Sequence, residues 1–155
     1  MNVAVCNDSN YVKSVIFDPE MWGRCTDDYA VKDESLVDGL GCLWLKCYDD
    51  DTDFGLASVS HGGNSTIDIH IHIPKENRGR KSKEIGLSFL SWVKCNAISE
   101  VYKINTKVPA IYKDVIRFAH SLGFKDEGID TKSIMKNGKL IDRVCLGISI
   151  TEVCK

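Results

Sequence analysis

Two stretches of this chain hold side chains whose types and spacing could do chemistry. The first is Asp68, His70 and His72, which alternate with Ile67, Ile69, Ile71 and Ile73. A period of two makes a strand with one apolar face and gathers the carboxylate and both imidazoles on the other. An imidazole with a reference pKa of about 6.5 exchanges protons near neutrality. Acid–base work is one reading of the trio; the other is the polar face of a half-buried strand. A metal site built on His70 and His72 lacks a third ligand at a fitting spacing. The second stretch runs from Lys75 to Lys83, where Lys75, Arg78, Arg80, Lys81 and Lys83 surround Gly79 and Ser82. It follows the strand and opens a helix, so free amides, the helix dipole and the cations together would hold an anionic phosphate group. The plainer alternative is a solvated basic turn. The stretch is neither a P-loop nor a G-x-G-x-x-G fingerprint.

Other chemistry-bearing residues point less far. Asp49, Asp51 and Asp53 alternate as in a calcium loop, but an EF-hand needs glycine where Phe54 stands and glutamate where Ser60 stands, so a solvated hairpin tip is expected. Cys6, Cys25, Cys42, Cys47, Cys95, Cys145 and Cys154 are odd in number and scattered, without a C-x-x-C pair. Reduced thiols fit that pattern better than a disulfide frame or a zinc site. Trp22, Trp44 and Trp92 read as core or interface anchors. His61 beside Gly62-Gly63 reads as loop, and His120 as offsetting a helix C-terminal dipole.

The elements that must position these groups follow from periodicity. Pro74 closes the isoleucine strand. After the basic loop, Ile85, Phe89, Trp92 and Val93 recur at helical spacing, predicting a helix to about Asn96. Upstream, Val12 to Phe17 reads as a short strand broken by Asp18-Pro19, and Trp22 to Leu40 gives no clear assignment. Gly41 to Tyr48 and Phe54 to Ser60 form a hairpin around the acidic turn. Downstream, Val101 to Thr106 is a strand. Pro109 takes a first helical position before the stripe Ile111, Val115, Phe118 and Leu122, and Gly123 stops that helix. Asn137-Gly138 is a two-residue hairpin turn between Ile129 to Met135 and Leu140 to Ile150. The order is three or four strands, helix, strand, helix and closing hairpin.

Length and composition bound the answer. The 155 residues fit one domain, 1–155, with a core that needs no staples. A net charge of -2 and a pI near 6.1 argue against a dedicated nucleic-acid binder, though residues 75–83 leave a local contact open. The first ten residues lack a charged, then apolar, leader, and no stretch approaches the roughly 20 apolar residues of a membrane span. The expectation is a cytoplasmic protein, for which the sequon at Asn64 is accidental.

From Ile71 to Gly128 the chain resembles the GNAT family of acyl-CoA-dependent N-acetyltransferases. That family's strand ends in an apolar-x-Pro step followed by Arg-Gly, here Ile71, His72, Ile73, Pro74 and then Arg78-Gly79. Its later helix ends in Leu-Gly-Phe, matched by Leu122, Gly123 and Phe124, with Asp126, Glu127 and Gly128 continuing the pattern. The tail Asn137, Gly138, Lys139 and Asp142 is similar too. The resemblance covers the last 90 or so residues well and the first 60 weakly. It implies an α/β fold of the α+β kind, a mixed, mostly antiparallel central sheet flanked by helices.

It further implies an N-acetyltransferase that moves an acetyl group from acetyl-CoA to an amine acceptor by direct attack. The loop from Arg78 through Gly79, Arg80, Lys81, Ser82 and Lys83 would hold the pyrophosphate, and the strand edge at Ile71 to Ile73 the pantetheine arm. His70 is the nominated base, with Asp68 as its neighbour and His72 as second choice. The chain departs from the family pattern at three places. Lys81 and Lys83 replace small loop residues, Tyr112 stands where many members have a pantetheine-bonding asparagine, and Ala119 takes the place of the usual tyrosine acid. The alternative is a GNAT-fold structural or binding protein without efficient catalysis. The C-terminal half is similar to GNAT-like proteins of tailed bacteriophages, which implies a virion-associated or host-modifying role, in the host cytoplasm or the virion. A homo-oligomer or a protein assembly is compatible with either reading.

Overall fold

The computed structural model describes residues 1–37 and 41–155. Its frame is a seven-stranded sheet in the order β1-β2-β3-β4-β5-β7-β6. The strands are β1 (Asn2–Val5), β2 (Cys42–Asp49), β3 (Thr52–Gly63), β4 (Thr66–His72), β5 (Lys103–Pro109), β6 (Lys125–Lys136) and β7 (Lys139–Ser149). Helices α1 (Ser9–Ile16) and α2 (Pro19–Cys25) lie between β1 and β2, α3 (Ser82–Asn96) joins β4 to β5, and α4 (Lys113–Ser121) joins β5 to β6. Every neighbouring pair is antiparallel except β4 and β5, which a crossover through α3 makes parallel.

Both faces of the sheet are covered. One carries α3 and α4, where Ile85, Phe89, Leu90, Val93, Ile116 and Ala119 pack on Ile67, Ile69, Ile104, Val108, Leu146 and Ile148. Gly86 lets α3 approach α4 closely, because a Cβ there would stand 2.7 Å from the Leu122 methyls. The other face carries α1 and α2, with Val12, Val15, Ile16 and Met21 around Leu56. The alternation read from Ile67 to Ile73 therefore sorts residues between two covered faces: Ile67 and Ile69 go to α3, while His72 is buried under α2.

The N-terminal segment differs from its sequence reading. Val12 to Phe17 is helical, not a strand, because Asp8 accepts from the amides of Asn10 and Tyr11 and Val12, Val15 and Ile16 share one helical face. Asp18-Pro19 begins α2, with Asp18 accepting from Glu20 and Met21 and Pro19 in the first turn. Strand β1 was not foreseen. Pro109 ends β5 opposite Arg143 instead of opening a helix; α4 starts after Tyr112. Its C-terminal stop, Gly123 with φ +99°, is where it was expected. The Asn137-Gly138 turn has φ of 51° and 72°, the doubly left-handed geometry of a type I′ hairpin. The tail of the segment read as unassigned, residues 38–40, lies outside the described residues.

Candidate functional site

Strands β4 and β5 pair only from Thr66↔Lys103 to Asp68↔Asn105. Beyond that point β4 runs to His72 and β5 to Pro109 without facing each other. A parallel pair that separates leaves amides and carbonyls along both facing edges with no strand partner. Into this gap opens a cavity of about 740 Å³, walled by Ile71 and Ile73 on one side and Thr106 and Val108 on the other. It reaches Ser82 at the start of α3 and Phe118 on α4, and on the opposite face His70, His72 and Cys25.

Helix α2 straddles this opening. Glu20, in its first turn, accepts from Arg78 Nη1 at 2.6 Å, just past the end of β4. Arg24, in its last turn, bonds Asp114 at the start of α4 at 2.5 Å and stacks over the Tyr112 ring, 4.8 Å from its centroid. The Tyr112 hydroxyl donates to the Gly23 carbonyl at 3.1 Å. The end of α2 is also held from below. Lys136 Nζ, almost fully buried, donates to the carbonyls of Gly23, at 2.8 Å, and of Thr26. Asp28 accepts from the amides of Asn137 and Gly138. A loop with few apolar anchors is thus set against the β6–β7 hairpin by polar bonds.

His70 and His72 share the α1/α2 face. His70 is open to the cavity's solvent yet walled by protein on most sides, and this desolvation lowers its pKa below the ordinary histidine value, helped by Arg143 and opposed by Asp68. His72 is 7% exposed, lies 6.1 Å ring to ring from Trp44, and burial drives its pKa from 6.5 down to about 3. His70 is therefore the imidazole that a molecule in the cavity can reach, and His72 a neutral wall group.

Asp68 lies two residues behind His70, at the vertex of the gap, with its carboxylate against the Gly62 backbone; a Cβ on Gly62 would meet it at 2.6 Å. It is not part of the cavity wall.

The basic loop is less free than its composition suggests. Arg78 donates from Nε to the Ile73 carbonyl at 2.9 Å, so its guanidinium ties that carbonyl to Glu20. Lys81 lies over the Phe54 ring, 4.6 Å from the centroid. Gly79, with φ +116°, makes the turn, and its amide donates to Ser82 Oγ at 3.0 Å. Arg80 and Lys83 line a shallower depression on the other side of α3, with Trp92. Of the loop, Arg78 and Ser82 reach the cavity between β4 and β5, and α4 adds Arg117, a cation the sequence reading passed over. Ala119 is 5% exposed and packs into the α3/α4 core, so it faces away from the solvent. Tyr112 stands at the cavity wall just before α4.

No family model and no curated protein matches the sequence. Solved structures do match the fold. A spermidine N-acetyltransferase from Vibrio cholerae, in complex with CoA and spermine, superposes with a TM-score of 0.81 at 13% identity, over 99% of this chain and 98% of that one. An N-acetyltransferase from Staphylococcus aureus Mu50 does so at 0.76 and 16% identity, over 97% and 98%. A ribosomal-protein-alanine N-acetyltransferase from Brucella melitensis does so at 0.74 and 15% identity, over 96% and 99%. The chain has the GNAT fold, a mixed α/β architecture with a seven-stranded sheet flanked by helices.

Proposed function

We propose that this chain is an N-acetyltransferase that moves an acetyl group from acetyl-CoA to an amine by direct attack. The observation that carries the proposal is the separation of β4 from β5 past Asp68 and Asn105, which opens a cavity from the start of α3 to His70. The unpaired edges near Ile71 suit the amide-bearing pantetheine arm. Arg78 already occupies the Ile73 carbonyl, so the arm's partners on β4 lie nearer Ile71. The α3 N-terminus, with Gly79 and Ser82, suits the pyrophosphate. Arg117, and Arg80, Lys81 and Lys83 at longer range, supply positive charge for the remaining phosphate. The cavity wall at Tyr112 would support the arm by contact.

On the acceptor side His70 takes the proton that the amine nitrogen loses as it bonds to the acetyl carbon. As the carbon–sulfur bond breaks, the same proton returns to the departing thiolate. One imidazole then serves as base and acid, which fits a helix α4 whose Ala119 offers no hydroxyl. Asp68, near the vertex, opposes the drop in His70 pKa that desolvation causes. A reducing, cytoplasmic setting fits seven unbridged thiols.

Calorimetric titration with acetyl-CoA tests the proposal, followed by thiol release against a panel of amines. Saturable binding with amine-dependent release supports it; absence of binding removes it. The second reading is a GNAT-fold binding protein without turnover, to which the phage resemblance alone would add a virion-associated or host-modifying role; the absence of turnover is favoured by the buried Ala119 and the committed Arg78. It predicts binding without release.

A further inference from the structure

The α1/α2 face beside His70 carries an uneven set of charges. By strand alternation, Asn105 and Lys107 of β5, Arg143 of β7 and Asp130 of β6 stand on the same face as His70 and His72. Lys107 Nζ and Arg143 Nη2 bond the same oxygen of Asp130, each at 3.0 Å, and Arg143 Nε donates to Ser133 at 2.9 Å. One carboxylate thus faces two cations, and both cations line the cavity whereas Asp130 does not. Among the described residues the cavity wall contains one carboxylate, Asp114, and Arg24 already holds it. On this side the wall also holds the apolar Ile16, Met21, Trp22, Trp44 and Ile134, with Cys25, Thr26 and Ser58 as its small polar groups.

We infer that the acceptor side takes a small zwitterion, an α-amino acid with an apolar side chain, in preference to a polyamine or a plain amine. This rests on the acetyl-transfer reading of the same site. The amino group would meet His70, and the carboxylate would take the surplus donors of Arg143 and Lys107 in charge-assisted bonds. The side chain would lie against Trp22 and Trp44. A polyamine would instead bring further ammonium groups beside two cations, with no unpaired carboxylate among the described residues of the wall to receive them. Arg143 and His70 line the same cavity from one face of the sheet, so a molecule held there faces both.

The test compares phenylalanine, phenethylamine and spermidine as acceptors, by thiol release from acetyl-CoA. The same three are titrated in a calorimeter into CoA-saturated protein. Phenylalanine is expected to exceed phenethylamine by about tenfold or more in kcat/KM or in affinity, the worth of a charge-assisted bond, and spermidine to be poorest. Arg143→Gln should bring the phenylalanine-to-phenethylamine ratio towards one. Asp130→Asn, which releases both cations, should raise it. Lys107→Met gives a second reading should Arg143→Gln fail to fold. A wild-type preference for spermidine or phenethylamine overturns the inference, as does a ratio that Arg143→Gln and Lys107→Met leave unchanged. Thiol release with none of the amines would sink the acetyl-transfer reading, while the calorimetric ratio would still decide the acceptor class.

Discussion

The thiol of Cys25 lies 3.2 Å from Nδ1 of His72, joining the last residue of α2 to the last residue of β4 inside the cavity. A pair of this kind can be an activated thiolate–imidazolium couple or a neutral hydrogen bond, and its surroundings decide which. Burial raises the thiol to about 11 and lowers the imidazole to about 3, so both partners are neutral across the physiological range. The nearby Lys136, Arg24 and Arg78 pull the thiol back only in part.

Cys25 should therefore alkylate slowly at neutral pH even though solvent reaches it. Cys95 and Cys154, which are exposed, should label first with iodoacetamide, and Cys25 should catch up as the pH rises. Peptide mass spectrometry over a time course reads the order. Labelling of Cys25 ahead of the other two near pH 7 would show a thiolate and overturn the neutral assignment.

His72 should make the fold acid-sensitive. Its pKa is about 3 in the folded chain against 6.5 when free, so between these values the unfolded chain holds a proton that the folded one lacks. Stability from this group is complete above about 6.5 and falls, by up to about 1.4 kcal/mol per pH unit, as pH drops towards the folded value. Urea unfolding at a series of pH values from neutral to acid measures the slope. In His72→Phe that component should vanish, leaving the slope due to carboxylates. An identical slope in both proteins would mean that His72 charges without cost.

His70 should carry the chemistry. Truncation at a side chain open to the cavity leaves the core intact, so His70→Ala should fold and bind acetyl-CoA while losing about 10²–10⁴ in kcat, the usual contribution of a positioned base. Its lowered pKa keeps the imidazole in its basic form below the usual histidine range. The acid limb of kcat/KM should accordingly fall below 6.5, and Arg143→Gln, by removing one cause of the lowering, should move it upward. A variant that retains full turnover would reject this assignment.

How much of this was legible depended on whether the signal was local. The isoleucine alternation, the helix stripe through Ile85, Phe89 and Val93, and the Asn137-Gly138 turn are set by neighbours in sequence, and β4, α3 and the closing hairpin follow from them. Helix α1 was misread because Val12, Val15, Ile16 and Phe17 crowd into a short apolar run; the Asp8 cap and the i, i+3, i+4 spacing were the signals that distinguished it. The gap between β4 and β5 depends on where a long-range pairing stops, which no local pattern encodes. The same holds for Arg78. As one of five cations it looked available to a phosphate, but Glu20, 58 residues away, claims its guanidinium. Lys107 and Arg143 likewise become a surplus of charge only when the register sets both against Asp130.

The docking of the hairpin on α2 yields a last expectation. Lys136 is 5% exposed and its ammonium satisfies the Gly23 and Thr26 carbonyls, while burial lowers its pKa. Lys136→Met keeps the stem but leaves both carbonyls without this donor, a loss of about 1–3 kcal/mol. The hairpin itself should survive, since Asn137 and Gly138 already adopt the turn geometry and β6 and β7 pair up to Lys136↔Lys139. The damage should localise to the end of α2. Hydrogen exchange at residues 23–29 should accelerate in Lys136→Met, and in Asp28→Ala, whose carboxylate holds the two turn amides, with the β6–β7 amides little changed. Because Cys25 and Thr26 line the cavity from this loop, the same variants should raise the acceptor KM more than they lower kcat. Uniformly faster exchange across β6 and β7 would instead place Lys136 in the global core, and unchanged exchange at residues 23–29 would mean that the α2 end is held by Arg24 and Tyr112 alone.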